Sequence, residues 1–128
     1  MTFFFDRSIG VTVPKALILL KLREQVEYHE KWFASDELDD KWLPSVGQRG
    51  WTVIGHDRKY HLFENELRAL KQYKIGCFYL WGGEVNKWEK MRVFAAAYDR
   101  IIKAAAYTPR PFAYDVDRRG RLSSIPLP

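Results

Sequence analysis

The strongest constraint on this chain is an alternation. Short apolar runs, each long enough for one buried strand, take turns with segments of helical periodicity. Thr2 to Phe5 is the first run and ends in Asp6, and Val26-Glu27-Tyr28-His29 reads as the second. Trp51 to Ile54 is the third and stops at Gly55-His56-Asp57. Gly76 to Leu80 is the fourth, and Phe112 to Val116 follows Pro109 and Pro111 as the fifth. Pro14 opens a helix of about two turns carrying Ala16, Leu17, Leu19, Leu20 and Leu22, while Glu30 to Glu37 reads as a polar loop. A second helix starts near Asp39 with Trp42, Leu43 and Val46 on one side and Pro44 in its first turn. A third runs from about Phe63 to Tyr73 with Leu67 and Leu70 inward. The longest spans Val85 to Ala106, with Trp88, Met91, Phe94, Ala95, Tyr98, Ile101, Ile102 and Ala105 at helical spacing. Arg118 to Arg121 makes a turn, and the tail ends in Pro126 and Pro128.

Strands alternating with helices predict right-handed βαβ units and a mainly parallel sheet covered on both faces, an α/β domain spanning residues 1–128. Apolar residues make up 47% and charged residues 29%, which excludes a disordered chain. Cys77 is the only cysteine, so neither an internal disulfide nor a thiolate metal site can form, and its apolar neighbours make it a structural residue. The N-terminus lacks the basic and apolar regions of a signal peptide, and no apolar run approaches the ~20 residues of a membrane span. A cytoplasmic protein with no membrane partner is expected. Aromatics reach 16%, more than so small a core can hide, which points some of them towards a subunit interface and a homodimer.

In parallel sheets the working residues gather at the carboxyl ends of the strands. Asp6 and Asp57 each end such a strand, and Asp39 opens the helix just before the third strand. If strands one and three are neighbours, the three converge on one rim. Glu66, nine residues beyond Asp57, is a fourth candidate if its helix folds back over that rim. Gathered carboxylates repel unless a cation compensates, and all-oxygen ligands suit Mg²⁺ or Mn²⁺. The plainer reading is that Asp39 and Asp40 cap a helix and that Asp57 begins a polar loop.

The net charge of +5 favours a polyanionic partner. Arg7, Arg58 and Lys59 lie beside the proposed ligands, placed to hold an RNA backbone. Lys87, Lys90, Arg92, Arg100 and Lys103 read as the solvated face of the long helix. Arg110, Arg118, Arg119 and Arg121 form a tail cluster suited to RNA or to an acidic partner segment. His56 reads as a solvent-facing loop histidine, and Trp81-Gly82-Gly83 as a turn at the same rim. Trp32, Phe33 and Trp42 could stack bases, but core or dimer contacts are the commoner use of such aromatics.

Four segments, Phe3-Phe4-Phe5-Asp6-Arg7, Asp39-Asp40-Lys41-Trp42-Leu43-Pro44, Gly50 to Arg58 and Pro109-Arg110-Pro111-Phe112, resemble the PIN-like domains of the VapC-type toxin group, in register over nearly the whole chain. The resemblance implies a three-layer α/β/α domain and a metal-dependent endoribonuclease that cleaves single-stranded RNA. It also implies the toxin half of a toxin–antitoxin pair, with a cognate antitoxin as partner. Asp6, Asp39 and Asp57 would be its catalytic acids, Asp6 and Asp57 binding the metal directly and Asp39 directly or through water, with Glu66 a looser match. Arg7-Ser8 stands where many relatives carry a second polar or acidic residue, and Asp40 adjoins Asp39, so either could serve as the ligand of the second helix. Two rivals stand beside this reading. One is a catalytically inactive PIN-like binding module. The other is a receiver-type signalling domain, which needs an acidic pair after strand one and a lysine ending its last core strand.

Overall fold

A computed structural model describes residues 1–56, 59–82 and 85–128. Its centre is a six-stranded sheet in the order β2-β1-β3-β4-β5-β6, built from β1 (Thr2–Phe5), β2 (Gln25–Tyr28), β3 (Thr52–Gly55), β4 (Gly76–Leu80), β5 (Phe112–Val116) and β6 (Leu122–Ile125). The first five strands run parallel and β6 pairs antiparallel with β5. The α/β class and the parallel sheet match the expectation from sequence, and β1 and β3 are neighbours as the converging-rim argument requires.

The period-two alternation of buried strands divides the core in two. Phe3, Phe5, Ile54, Phe78, Leu80 and Val116 point to one face, where α1 (Thr12–Leu19) and α5 (Lys87–Tyr107) bring Val13, Leu17, Val93, Phe94 and Ile101. Phe4, Val53, Cys77, Tyr79 and Ala113 point to the other, beneath α3 (Asp39–Gln48) and α4 (Glu64–Gln72) with Trp42, Leu43, Val46 and Leu70. Phe4 anchors this second half, stacked on Trp51 at 5.8 Å and tilted against Trp42 at 5.2 Å. Each fully buried side chain of this size contributes about 1.5–3 kcal/mol.

Several local expectations are corrected. His29 belongs to a short helix, α2 (His29–Trp32), rather than to the second strand. Pro44 is interior to α3, not in its first turn; the carbonyl of Asp40 therefore loses its helical donor, a cost offset by the burial of Trp42, Leu43 and Val46. A 3₁₀ turn, Tyr60–Leu62, precedes α4. On α5 the buried stripe runs through Lys90, Val93, Phe94, Ala97 and Ile101, while Trp88 is 72% exposed and Ala95 faces solvent. The stripe is rotated because Lys90 turns inward, donating to the carbonyl of Ser8 at 3.3 Å, so it is not part of a solvated face. The tail adds a strand that the sequence reading lacked: Leu122–Ile125 pairs along β5 as the sheet's edge. Among the described residues no helix is long and apolar enough to cross a membrane.

Candidate functional site

Register lines up one row of residues across the carboxyl edge of the sheet. Gly55 pairs with Tyr79, and Tyr79 with Asp115. Asp6, one step beyond the Phe5–Ile54 pair, donates its backbone N–H to the Ile54 carbonyl at 2.9 Å and so arrives opposite Gly55. All four lie on the α3/α4 side of the pleat. Gly55 is required there by space, since a Cβ at this position would stand 2.6 Å from Asp6 Oδ2 and 3.3 Å from the Tyr60 hydroxyl.

Asp6 is almost fully buried and thoroughly held. Its Oδ1 accepts from the Ser8 N–H at 3.0 Å and from the Ser8 hydroxyl at 2.5 Å, and Oδ2 accepts from the Tyr60 hydroxyl. Ser8 Oγ in turn accepts from the His56 N–H at 3.3 Å, which ties the end of β1 to the end of β3. Burial pushes the Asp6 carboxyl above its ordinary range; the Ser8 and Tyr60 donors oppose this, and the negative charge of Asp39 adds to it. Tyr60 is held well above the usual phenol range by burial and by Asp6, so it remains a hydroxyl donor.

Asp39 opens α3 and is buried, accepting from Trp42 Nε1 at 2.9 Å, with Arg7 Nη2 at 3.9 Å. Glu66, in the first turn of α4, is buried as well. Asp39 and Glu66 line one cleft of about 240 Å³ together with Arg7, Leu38, Asp40 and Asn65. Helix α4 thus folds back over the rim, because α3 and α4 pack side by side above it. Asp6 does not line this cleft; it stands behind Asp39, within reach of its charge. Asp39 and Asp40 both line the cleft, Asp39 buried and Asp40 half-buried. Asp57 and Arg58 lie outside the described residues.

The donor chemistry suits a hard cation in part. Asp6 and Asp39 offer carboxylate oxygens with mutual repulsion to relieve, and hydrogen-bonded carboxylate oxygens keep further lone pairs. Yet among the described residues no three Asp, Glu, His or Cys gather closely enough to hold an ion by themselves. Of the three candidate acids among the described residues, Asp39 and Glu66 share the cleft, and Asp6 lies outside its lining.

The basic residues are placed unevenly. Arg7 borders the cleft and donates to the Ser35 carbonyl at 2.5 Å, while Lys59 pairs with Asp115 at 3.0 Å further along the rim. Arg110 does not join the tail arginines: it donates to Thr52 Oγ1 at 2.7 Å at the amino end of β3, whereas Arg118 and Arg119 follow the carboxyl end of β5. His56 is buried, not solvent-facing, because its backbone is drawn in against Ser8. Trp42 is core, and Trp32 is partly exposed beside Trp51 at 5.2 Å with the Arg49 guanidinium 4.5 Å from its ring.

Reading from residues alone missed Ser8 and Tyr60. Ser8 had a signal, since an Asp followed two residues later by a donor is the Asx-turn pattern. Tyr60 had none: its partner lies 54 residues away.

A mainly parallel sheet with helices on both faces, buried acids on one carboxyl rim and a helix-lined acidic cleft is a three-layer α/β/α domain. The chain belongs to the PIN-like domain family, whose sequence profile matches residues 1–82. That stretch holds Asp6, Asp39, Asp57 and Glu66 and leaves out α5, β5 and β6. No curated protein and no solved structure matches the chain. The receiver-type rival is set aside by the family match, and neither β4 nor β5 ends in the lysine it needs, closing instead on Leu80 and Val116.

Proposed function

We propose that this PIN-like domain is a metal-dependent endoribonuclease of the VapC toxin type, acting on single-stranded RNA and restrained by a cognate antitoxin. The observation that supports the reading is the buried Asp6 at the carboxyl end of β1, next to β3, with the buried Asp39 and Glu66 lining the cleft that Arg7 borders. Asp6 and Asp39, joined by Asp57 from the end of the neighbouring strand, would hold Mg²⁺ or Mn²⁺, with Glu66 facing the same cleft. Bound there, the ion supplies the Lewis acidity that phosphodiester hydrolysis needs. Ser8 and Tyr60 fix the orientation of the Asp6 carboxylate, so that it need not reorganise when substrate arrives. Arg7 and Lys59 are themselves half-exposed, Arg7 beside the buried Asp39 and Lys59 paired with the half-exposed Asp115, so both can reach RNA phosphates, and Arg58 follows the same strand end in sequence.

The test is cleavage of defined single-stranded RNAs by purified protein with Mn²⁺ or Mg²⁺ and with EDTA. Cleavage that needs the metal and disappears in Asp6→Asn and Asp57→Asn is the expected result; variants that cut at the normal rate would refute the assignment. A second reading, an inactive PIN-like binding module, is favoured by the three hydrogen bonds that already engage Asp6 and the lack of a three-acid group among the described residues. Calorimetric titration with Mn²⁺ separates them: no binding at neutral pH supports the inactive module.

A further inference from the structure

The row that begins at Asp6 continues past the 3₁₀ turn into a second depression, of about 370 Å³, which the nuclease reading does not use. Its floor is Tyr79 and Asp115, the same row of the pleat that carries Asp6 and Gly55. Lys59 closes one side through its ion pair with Asp115. Trp81, the first residue after β4, forms the wall and is 38% exposed. The guanidinium of Arg118 lies 5.7 Å from the Trp81 ring centre. Arg118 and Arg119 then line the next cavity, of about 400 Å³, with Arg92 and Glu89. There Arg92 is held by Glu89 at 2.8 Å, whereas Arg118 and Arg119 make no ion pair among the described residues.

We propose that the Trp81 pocket is a base-stacking subsite for single-stranded RNA and that Arg118 and Arg119 hold the phosphates that follow. The inference rests on the nuclease reading for its substrate class. Three features carry it. An aromatic ring left partly open to solvent beside a cation is the combination that binds unstacked nucleotides, because each offers the π face of its base to the indole and its phosphate to the arginine. The pocket lies on the same carboxyl edge as the acids, two strand spacings or about 10 Å from Asp6. The arginines extend the same line towards the start of α5, where Arg118, Arg119 and Arg92 outnumber Glu89 around the next cavity. Lys59, lying between the acids and the pocket, would bridge the two along the backbone.

The experiment measures binding of a fluorescein-labelled single-stranded RNA of mixed sequence to the full chain carrying Asp6→Asn, in EDTA, by anisotropy at several salt concentrations. Trp81→Ala is expected to weaken binding roughly tenfold to a hundredfold, with Trp81→Phe retaining most of the affinity. Arg118→Ala is expected to weaken it across sequences and to lower the salt slope by about one. A Trp81→Ala protein with native circular dichroism and unchanged affinity overturns the proposal, and so does an absence of single-strand binding at low salt, which would leave the pocket to a protein partner. The two readings fail separately. Wild type that cuts RNA while Trp81→Ala binds normally removes the subsite alone; wild type that never cuts but binds through Trp81 removes the nuclease alone.

Discussion

Tyr60→Phe tests the arrangement around Asp6 most directly. The substitution removes one oxygen from a fully buried ring and leaves the rest of its packing, against Trp42 at 5.6 Å and Tyr79 at 5.9 Å, in place. What is lost is the donor to Asp6 Oδ2. A hydrogen bond to a charged group contributes about 1.5–3 kcal/mol, so a cost near 2 kcal/mol is expected, about a thirtyfold fall in the folded-to-unfolded ratio. For a chain of 128 residues this lowers Tm by roughly 8 °C. The cost should depend on pH. Tyr60 opposes the rise of the Asp6 pKa, so its removal raises that pKa further, and the penalty grows as pH rises through the Asp6 range. It shrinks in acid, where the protonated carboxyl needs the donor less. In the Asp6→Asn background a neutral amide accepts instead, and the penalty should fall to about 1 kcal/mol. Thermal melts of the four proteins at pH 5 and pH 8 decide the matter. A cost below about 0.5 kcal/mol at pH 8, or an equal cost in both backgrounds, refutes the claim that Tyr60 supports a charged Asp6.

Four further outcomes can be checked. Because the folded-state pKa of Asp6 is raised, its contribution to stability is full below the unfolded value and is lost as pH rises through the folded one; Asp6→Asn should therefore stabilise the metal-free protein at neutral pH while abolishing cleavage, as read by paired melts and RNA assays. Proton and cation compete for the same carboxylate, so Mn²⁺ affinity measured calorimetrically should fall as pH is lowered through the raised Asp6 range, and a pH-independent affinity would exclude Asp6 as a ligand. Gly55→Ala places a methyl group 2.6 Å from Asp6 Oδ2 and should reduce both metal affinity and Tm, whereas Gly50→Ala, with nothing within 4 Å, should change Tm only through its positive φ. Cys77 is buried and its thiol pushed up to about 12 by desolvation, so it should resist a thiol reagent in the native protein and react fully in denaturant.

How much of this was legible beforehand follows from the range of each interaction. β1, β3 and β4 were readable because buried parallel strands need near-continuous apolar runs, and β5 because Phe112 to Val116 alternates after two prolines. β6 was not, because Leu-Ser-Ser-Ile is a half-polar edge that becomes a strand only by pairing with β5. Trp88 fits a helical spacing but not the true buried stripe, and nothing local signals that Lys90 turns inward to Ser8, 82 residues away. The carboxylates at the strand ends were visible as a pattern, and the pairing of β1 with β3 gave that pattern its meaning.

The sequence by itself determined the alternation of elements, the identity of the acids and the strand end at which Asp6 would stand, since all of these depend on residue type and near neighbours. Only the tertiary structure decided that Asp6 would be buried behind Asp39 rather than share an open cleft with it. It also decided that Tyr60 would hold Asp6 and that Gly55 would make room for it. The reason is that burial and Coulomb coupling depend on distances through space, and residues 54 positions apart acquire such a distance only when the sheet and its helices close over them.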